Sequence, residues 1–135
     1  MALIIGARAH AARLRRIRGG EIVGRVGAAL FAAGNLIEVE AAISITTGAV
    51  SGKGHVASAP GSPPNADTHV LDRSIETNQV GPLKVEVSAN APHAAAQELG
   101  TSRLPERPYM RPAVAKKRGE AVQLVRRAVE QAIRA

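Results

Sequence analysis

Residues 75–90 read Ile75-Glu-Thr-Asn-Gln-Val80-Gly-Pro-Leu-Lys-Val85-Glu-Val-Ser-Ala-Asn90, and their second half decides the fold class. Leu83, Val85, Val87 and Ala89 alternate with Lys84, Glu86, Ser88 and Asn90. Successive strand side chains point to opposite faces, so this alternation predicts a half-buried strand. Ile75 to Val80 predicts its partner, and Gly81-Pro82 supplies the reversal. Proline suits a tight two-residue hairpin poorly, so the register stays open at this level.

Working outward, both flanks predict helix. Upstream, residues 7–47 are mostly helical in pattern: Leu14 and Ile17 start an apolar face that Val23, Val26, Leu30, Ala33, Ile37 and Ala41 continue at spacings of three and four. Gly19 and Gly20 interrupt it, each costing about 1 kcal/mol relative to alanine, which predicts a kink or break after a basic, mobile arm. Downstream, His93 to Leu99 predicts a short helix closed by Gly100 as a left-handed cap. Pro112 is placed to open a final helix whose apolar stripe is Val114, Ala121, Val122, Val125, Val129, Ala132 and Ile133. Between the long helix and the strands, residues 48–68 collapse into Gly, Ser, Pro, Asn and Asp, and Pro60, Pro63 and Pro64 favour an extended course. The expectation is one α+β domain over 1–135. It has a basic arm at 1–20, a long helix at 21–47, an extended loop at 48–68, and strands, short helix and C-terminal helix over 69–135.

Composition bounds the core. Apolar types make up 45% of the 135 residues, but 26 of them are alanine, and the aromatics are one Phe and one Tyr. At roughly 25 cal/mol per Å² an alanine-rich core is modest, and such a subunit gains stability by burying surface against copies of itself. The net charge of +7 is uneven, with six arginines among the first 25 residues. A second basic cluster runs through Arg111, Lys116, Lys117, Arg118, Arg126, Arg127 and Arg134. This asymmetry favours an anionic partner, nucleic acid first and an acidic protein or membrane surface behind it. Solvated helix faces that keep an alanine-rich protein soluble are the alternative. Nucleic acid would be held through its backbone and weakened by salt. The longest uncharged apolar-rich run, Val26 to Ile37, has 12 residues against the roughly 20 that span a bilayer. No secretory signal is visible, so the expectation is a soluble protein with no membrane partner.

Catalytic chemistry finds little support. With no cysteine there is no disulfide, thiolate zinc site or cysteine nucleophile. Lys53 lies in a glycine-rich stretch one residue short of a phosphate loop, with Gly54 where a hydroxyl residue would hold magnesium. His10, His55, His69 and His93 are scattered, and a metal site from His69 with Asp67 or Asp72 is weaker than a turn role for them. Ser62 lies between Gly61 and Pro63, where no nucleophile elbow forms. Glu98, just before Gly100-Thr101, reads as a structural hydrogen-bonding or inter-subunit acid. The expectation is no enzyme, no cofactor and no metal.

The order of short motifs carries a resemblance. Ser58-Ala-Pro60-Gly61-Ser-Pro63-Pro64 is followed by Asp67-Thr68, Leu71-Asp-Arg-Ser74-Ile75 and Val85-Glu-Val87-Ser. Then come Ala91-Pro-His-Ala94, Gln97-Glu98-Leu99-Gly100-Thr101 and Arg107-Pro108-Tyr109-Met110-Arg111-Pro112-Ala113. This resembles the small head–tail joining (tail-completion) proteins of long-tailed bacteriophages over roughly residues 56–135. His69 stands where that family has glycine, Leu99 where it has Phe, and Tyr109 where it has Phe. The resemblance implies an α+β subunit of a hexameric or dodecameric ring in the virion neck, assembled in the host cytoplasm beside neighbouring neck and tail-tube proteins. It implies structural roles for Ser74, Ile75, Glu98, Gly100, Thr101, Arg107, Pro108 and Pro112. Ser58, Pro60, Gly61, Pro63, Pro64 and Asp67 are the candidates for gripping a neighbouring subunit. Arg13, Arg15, Arg16 and Arg18 are the candidates for lining a DNA channel. A tail-terminator ring protein is the nearest alternative, and a basic architectural nucleic-acid-binding protein is the alternative from another class.

Overall fold

In the computed structural model the described residues are 6–47, 52–66 and 69–134, with backbone alone for residues 16–18. Two helices open the chain, α1 (Ala7–Arg18) and α2 (Gly20–Thr46). Gly19 separates them in an extended conformation (φ −70°, ψ 153°), so the predicted break is real and one residue long. Residues 7–18 of the basic arm are therefore helical. At its far end α2 stops where Thr46 and Thr47 turn their hydroxyls back onto the carbonyls of Ala42 and Ile43. The Ala66 N–H then bonds the Ile45 carbonyl, bringing the loop back across the helix end. Among its described residues that loop holds a 3₁₀ turn at Gly52–Gly54 and a second tight turn at 59–62, where the Ser62 N–H bonds the Ala59 carbonyl and Gly61 takes φ 84°, with no other regular element.

One helical turn, α3 (Val70–Arg73), leads into the antiparallel hairpin β1 (Ile75–Gly81) and β2 (Lys84–Ala89). Ile75 pairs with Ala89 and Gln79 with Val85; an irregularity between Gln79 and Gly81 then brings Gly81 opposite Lys84. The extra residue is how Pro82 is accommodated, because a bulge supplies the twist the proline turn lacks. Leu83 sits in that turn and is exposed, which corrects its place on the buried face. Helices α4 (Ala94–Leu99) and α5 (Met110–Arg134) complete an α+β fold.

Helix α2 is the axis. The hairpin lies along one side of it and α5 along another, running back antiparallel: Ala113 packs near Ala41 and Ile45, while Val129 reaches Leu30. The hairpin comes close because α2 has glycine where it lands. A Cβ on Gly34 would stand 2.7 Å from Thr77 Cγ2 and 2.9 Å from Val85 Cγ1. One on Gly27 would stand 2.7 Å from the Pro82 carbonyl. Seven residues apart, these glycines lie on one line of the helix and let the hairpin lie flat against it.

The core is one-sided. Ala41, Ile45, Ala66, Leu71, Ile75, Ala91, Ala94, Tyr109 and Ala113 form one cluster at the C-terminal end of α2, where loop, hairpin base and α4 converge. Toward the other end the layer thins to α2, α5 and the tip of the hairpin. Along α5 the predicted stripe needs correction, for Val114, Val122 and Ile133 are exposed and the buried positions are Ala113 and Ala132.

Substitution at the glycines separates packing from propensity. Gly24, with open space around it, should gain about 0.5–1 kcal/mol as alanine. Gly34→Ala and Gly27→Ala should instead lose about 1–3 kcal/mol, since stiff β-branched side chains and a backbone carbonyl must move. Thermal melts of the three variants check this; equal stabilisation by all three would refute the close approach.

Candidate functional site

The motif residues converge on one joint. Glu98, in the last turn of α4, aims its carboxylate at the start of α5 and accepts the N–H groups of Tyr109 (2.8 Å), Met110 (3.0 Å) and Arg111 (3.0 Å). A helix start leaves four N–H groups without intrahelical partners. The fourth residue here is Pro112, which has none to leave. This corrects its role slightly: α5 begins at Met110, and Pro112 sits inside its first turn. The negative carboxylate also faces the positive end of the helix dipole. Arg111 folds back, its Nε 2.8 Å from Glu98 Oε1 and its Nη2 on both the Glu98 carbonyl and Glu106.

Around this cap the chain is stitched closely. The Tyr109 hydroxyl donates to the Ala94 carbonyl (3.0 Å) with the ring 2% exposed. The Arg107 N–H donates to the Gln97 carbonyl at 2.6 Å. Gly100 has φ 74° and ψ 171°, a mirror-extended geometry open essentially to glycine and distinct from the left-handed helical cap expected. A Cβ there would also meet the Glu106 N at 2.9 Å. The Thr101 Oγ1 accepts the N–H groups of Arg103 and Leu104 and shapes the turn. Ser74 closes α3 with its hydroxyl on the Leu71 carbonyl, and Ile75 is buried. Pro108 is half-buried between Arg107 and Tyr109.

The extended loop is pinned to the same joint. Arg107 Nε donates to the Ser58 carbonyl (3.0 Å), and the Gly61 N–H donates to the Glu106 carbonyl (2.9 Å). Pro64 is buried within its own subunit, which removes it from the residues a neighbour could touch. Pro60 and Gly61 are exposed at the tip and Pro63 is half-buried, while Asp67 lies outside the described residues. His69 takes φ +62°, the left-handed conformation that glycine occupies most easily, and its Nδ1 lies 3.2 Å from Asp72 Oδ2. His55, His69 and His93 line one small hollow of about 150 Å³, yet among the described residues no three ligating groups are placed to hold a metal.

Charge and apolar surface are both left outward. Arg13 and Arg15 are exposed on α1, which lies against α2 and α5, while the side chains of Arg16 and Arg18 lie outside the described residues. Arg126, Arg127 and Arg134 are exposed on the far half of α5, while Arg111, Lys116, Lys117 and Arg118 lie on its near half, so the second basic cluster runs along the length of the helix. Helix α2 continues as one helix through Glu38 and Glu40, where the sequence reading ended its apolar run. It is long and apolar enough to cross a membrane by length and composition, with a mean hydropathy of 1.5 over its most apolar stretch, only 22% of which is buried.

The cap has a pH signature. Burial pushes the Glu98 carboxyl up, but the N–H groups of Met110, Tyr109 and Arg111 and the Arg111 side chain outweigh it and hold it below its ordinary 4.5. A carboxyl depressed in the folded state stabilises above its unfolded value and loses that contribution as pH falls through the folded one. Glu98→Gln should therefore cost about 1–3 kcal/mol at neutral pH. Its deficit relative to the parent should shrink below about pH 4.5 in denaturation curves, and a constant deficit would argue against the cap. Burial first, and the Glu98 charge second, push the Tyr109 hydroxyl up to about 12 from 10.0. Its stabilising contribution is thus present below pH 10.0 and lost as pH rises through about 12. With one tyrosine and no tryptophan in the chain, the phenolate absorbance reads this ionisation directly. It should move down, but not fully back, in Glu98→Gln.

No family model matches the chain, and neither a curated protein nor a solved structure is similar to it.

Proposed function

We propose that this chain is a structural subunit of the phage neck that assembles into a ring and joins the DNA-filled head to the tail, without catalysis. The observation that carries the self-assembling part of this reading is α2: a helix this long and apolar belongs inside a structure, and only 22% of its most apolar stretch is buried. The order of motifs supports the phage assignment. Glu98, Gly100, Thr101, Arg107, Pro108 and Pro112, noted for that resemblance, meet at one capped joint that holds no reactive pair. The exposed loop tip at Pro60 and Gly61 is suited to reach neighbouring neck and tail-tube proteins. A membrane partner fits less well, because Glu40 pairs with Lys116 at 2.8 Å within the apolar helix and α5 packs along it.

The exposed arginines favour a second reading, a basic architectural protein that binds the nucleic-acid backbone. In the ring they would border the channel through which DNA passes.

Electron microscopy of lysates from a phage lacking this gene tests the assignment. Full heads lying apart from finished tails are expected; abnormally long tails would indicate a terminator, and normal infectious particles would remove the virion reading. Changing Arg13 and Arg15 to alanine should reduce DNA retention in assembled particles. Steep salt-dependent binding to free duplex without any particle defect would favour the architectural reading instead.

A further inference from the structure

The hollow of about 150 Å³ at the tied end of the molecule differs in kind from the apolar depressions along α2. It lies where the end of α2, the returning loop, α3 and the start of α4 meet. Asn65 of the loop, Asp72 of α3 and Gln97 of α4 line it, beside the three histidines 55, 69 and 93. Val70 and His93 belong to the same lining and are exposed, so the hollow is reached from outside.

Its unmet hydrogen bonding is all of one kind. Asp72 Oδ1 and Gln97 Oε1 are buried, and neither has a hydrogen-bond partner. Both atoms only accept. Asn65 spends its side-chain N–H on the Val56 carbonyl at 2.9 Å, so its oxygen is the group left for a ligand. Buried polar atoms are nearly always paired, whether by protein, by water or by a bound group. Three oxygens from three elements therefore ask for donors.

Charge decides between water and a cation. The Asp72 side chain is only 10% exposed, and its one ion-pair partner among the described residues is His69, at 3.2 Å from Oδ2. That imidazole is charged only when protonated. Beside a neutral ring the buried carboxylate has no counter-charge, which is costly, and a water on Oδ1 supplies a hydrogen bond without one. A ligand with both N–H groups and positive charge meets both needs. The hollow has room for several waters, enough for a small head group and too little for a large ligand. A metal ion fits less well, since among the described residues no three ligating side chains are placed for one.

We propose that this hollow binds a cationic N–H donor, a primary ammonium or a guanidinium, carried by a lysine or arginine side chain or by a small amine. Asp72 supplies the charge, and Gln97 and Asn65 the neutral acceptors. The inference is independent of the ring reading.

The four histidines give the test an internal control, because three line the hollow and His10 lies on α1. The folded chain is titrated with methylammonium or guanidinium near neutral pH at constant ionic strength. The imidazole NMR resonances of His55, His69 and His93 should shift to saturation while those of His10 stay. Blocked lysine and arginine amides distinguish the sources: tighter binding than the free ions assigns the hollow to a partner's side chain, weaker binding to small amines. Tetramethylammonium, a cation without N–H, should move nothing. Asp72→Asn keeps the shape, removes the charge and should weaken binding about tenfold. Gln97→Leu should weaken it less, with circular dichroism confirming that both variants stay folded. No saturable shift, equal shifts at His10, the same response to tetramethylammonium, or unchanged affinity in both variants would overturn the site.

Discussion

The Glu98 carboxylate accepts three backbone N–H groups at the mouth of α5, and the placement of that helix against α2 follows from it. Without the acceptor, the first turn of α5 would present its donors to a partly buried joint, at a cost of 1–3 kcal/mol for each left unsatisfied. With it, Tyr109 is drawn into the core and Arg107 holds the returning loop. One end of the molecule is therefore tightly tied. An alanine-rich chain has little bulk to spend, and its main buried cluster forms around its one tyrosine while its one phenylalanine, Phe31, is left exposed.

The consequence appears at the other end. There α2 and α5 meet through small residues, with Ala33 and Ala132 buried along with Ile22, while Val122 and Ile133 are exposed. The surplus of apolar surface on α2 is the physical reason for reading the subunit as one piece of an assembly. Arg13, Arg15, Arg126, Arg127 and Arg134 lie toward this same end, and the rest of the second basic cluster runs back along α5. A ring built this way would present its positive charge in a repeating pattern, which suits a polyanion passing through.

Periodicity carried the element types well. The strand alternation from Val85 to Ala89 and the break at Gly19-Gly20 were legible because each depends on neighbours in sequence. Side assignments were less legible. Val114, Val122 and Ile133 read as core because an apolar stripe does not reveal how many partners a helix has. Gly27 and Gly34 were passed over, although two glycines seven apart on the apolar face of a long helix are a signal of close packing. Glu98 was recognisable as a hydrogen-bonding acid, but its acceptors' partners stand 11 to 13 residues away, across a turn that only the folded chain closes. At His69 the residue type pointed away from a left-handed turn that the backbone nonetheless adopts, with Asp72 beside the ring.

Native mass spectrometry of the purified chain over a range of concentrations tests the central claim most directly, because a ring that closes must give one stoichiometry. The account predicts a single multimer whose mass is a fixed multiple of 14.0 kDa. A monomer that persists at high concentration, with its α2 surface still open to solvent, would contradict it.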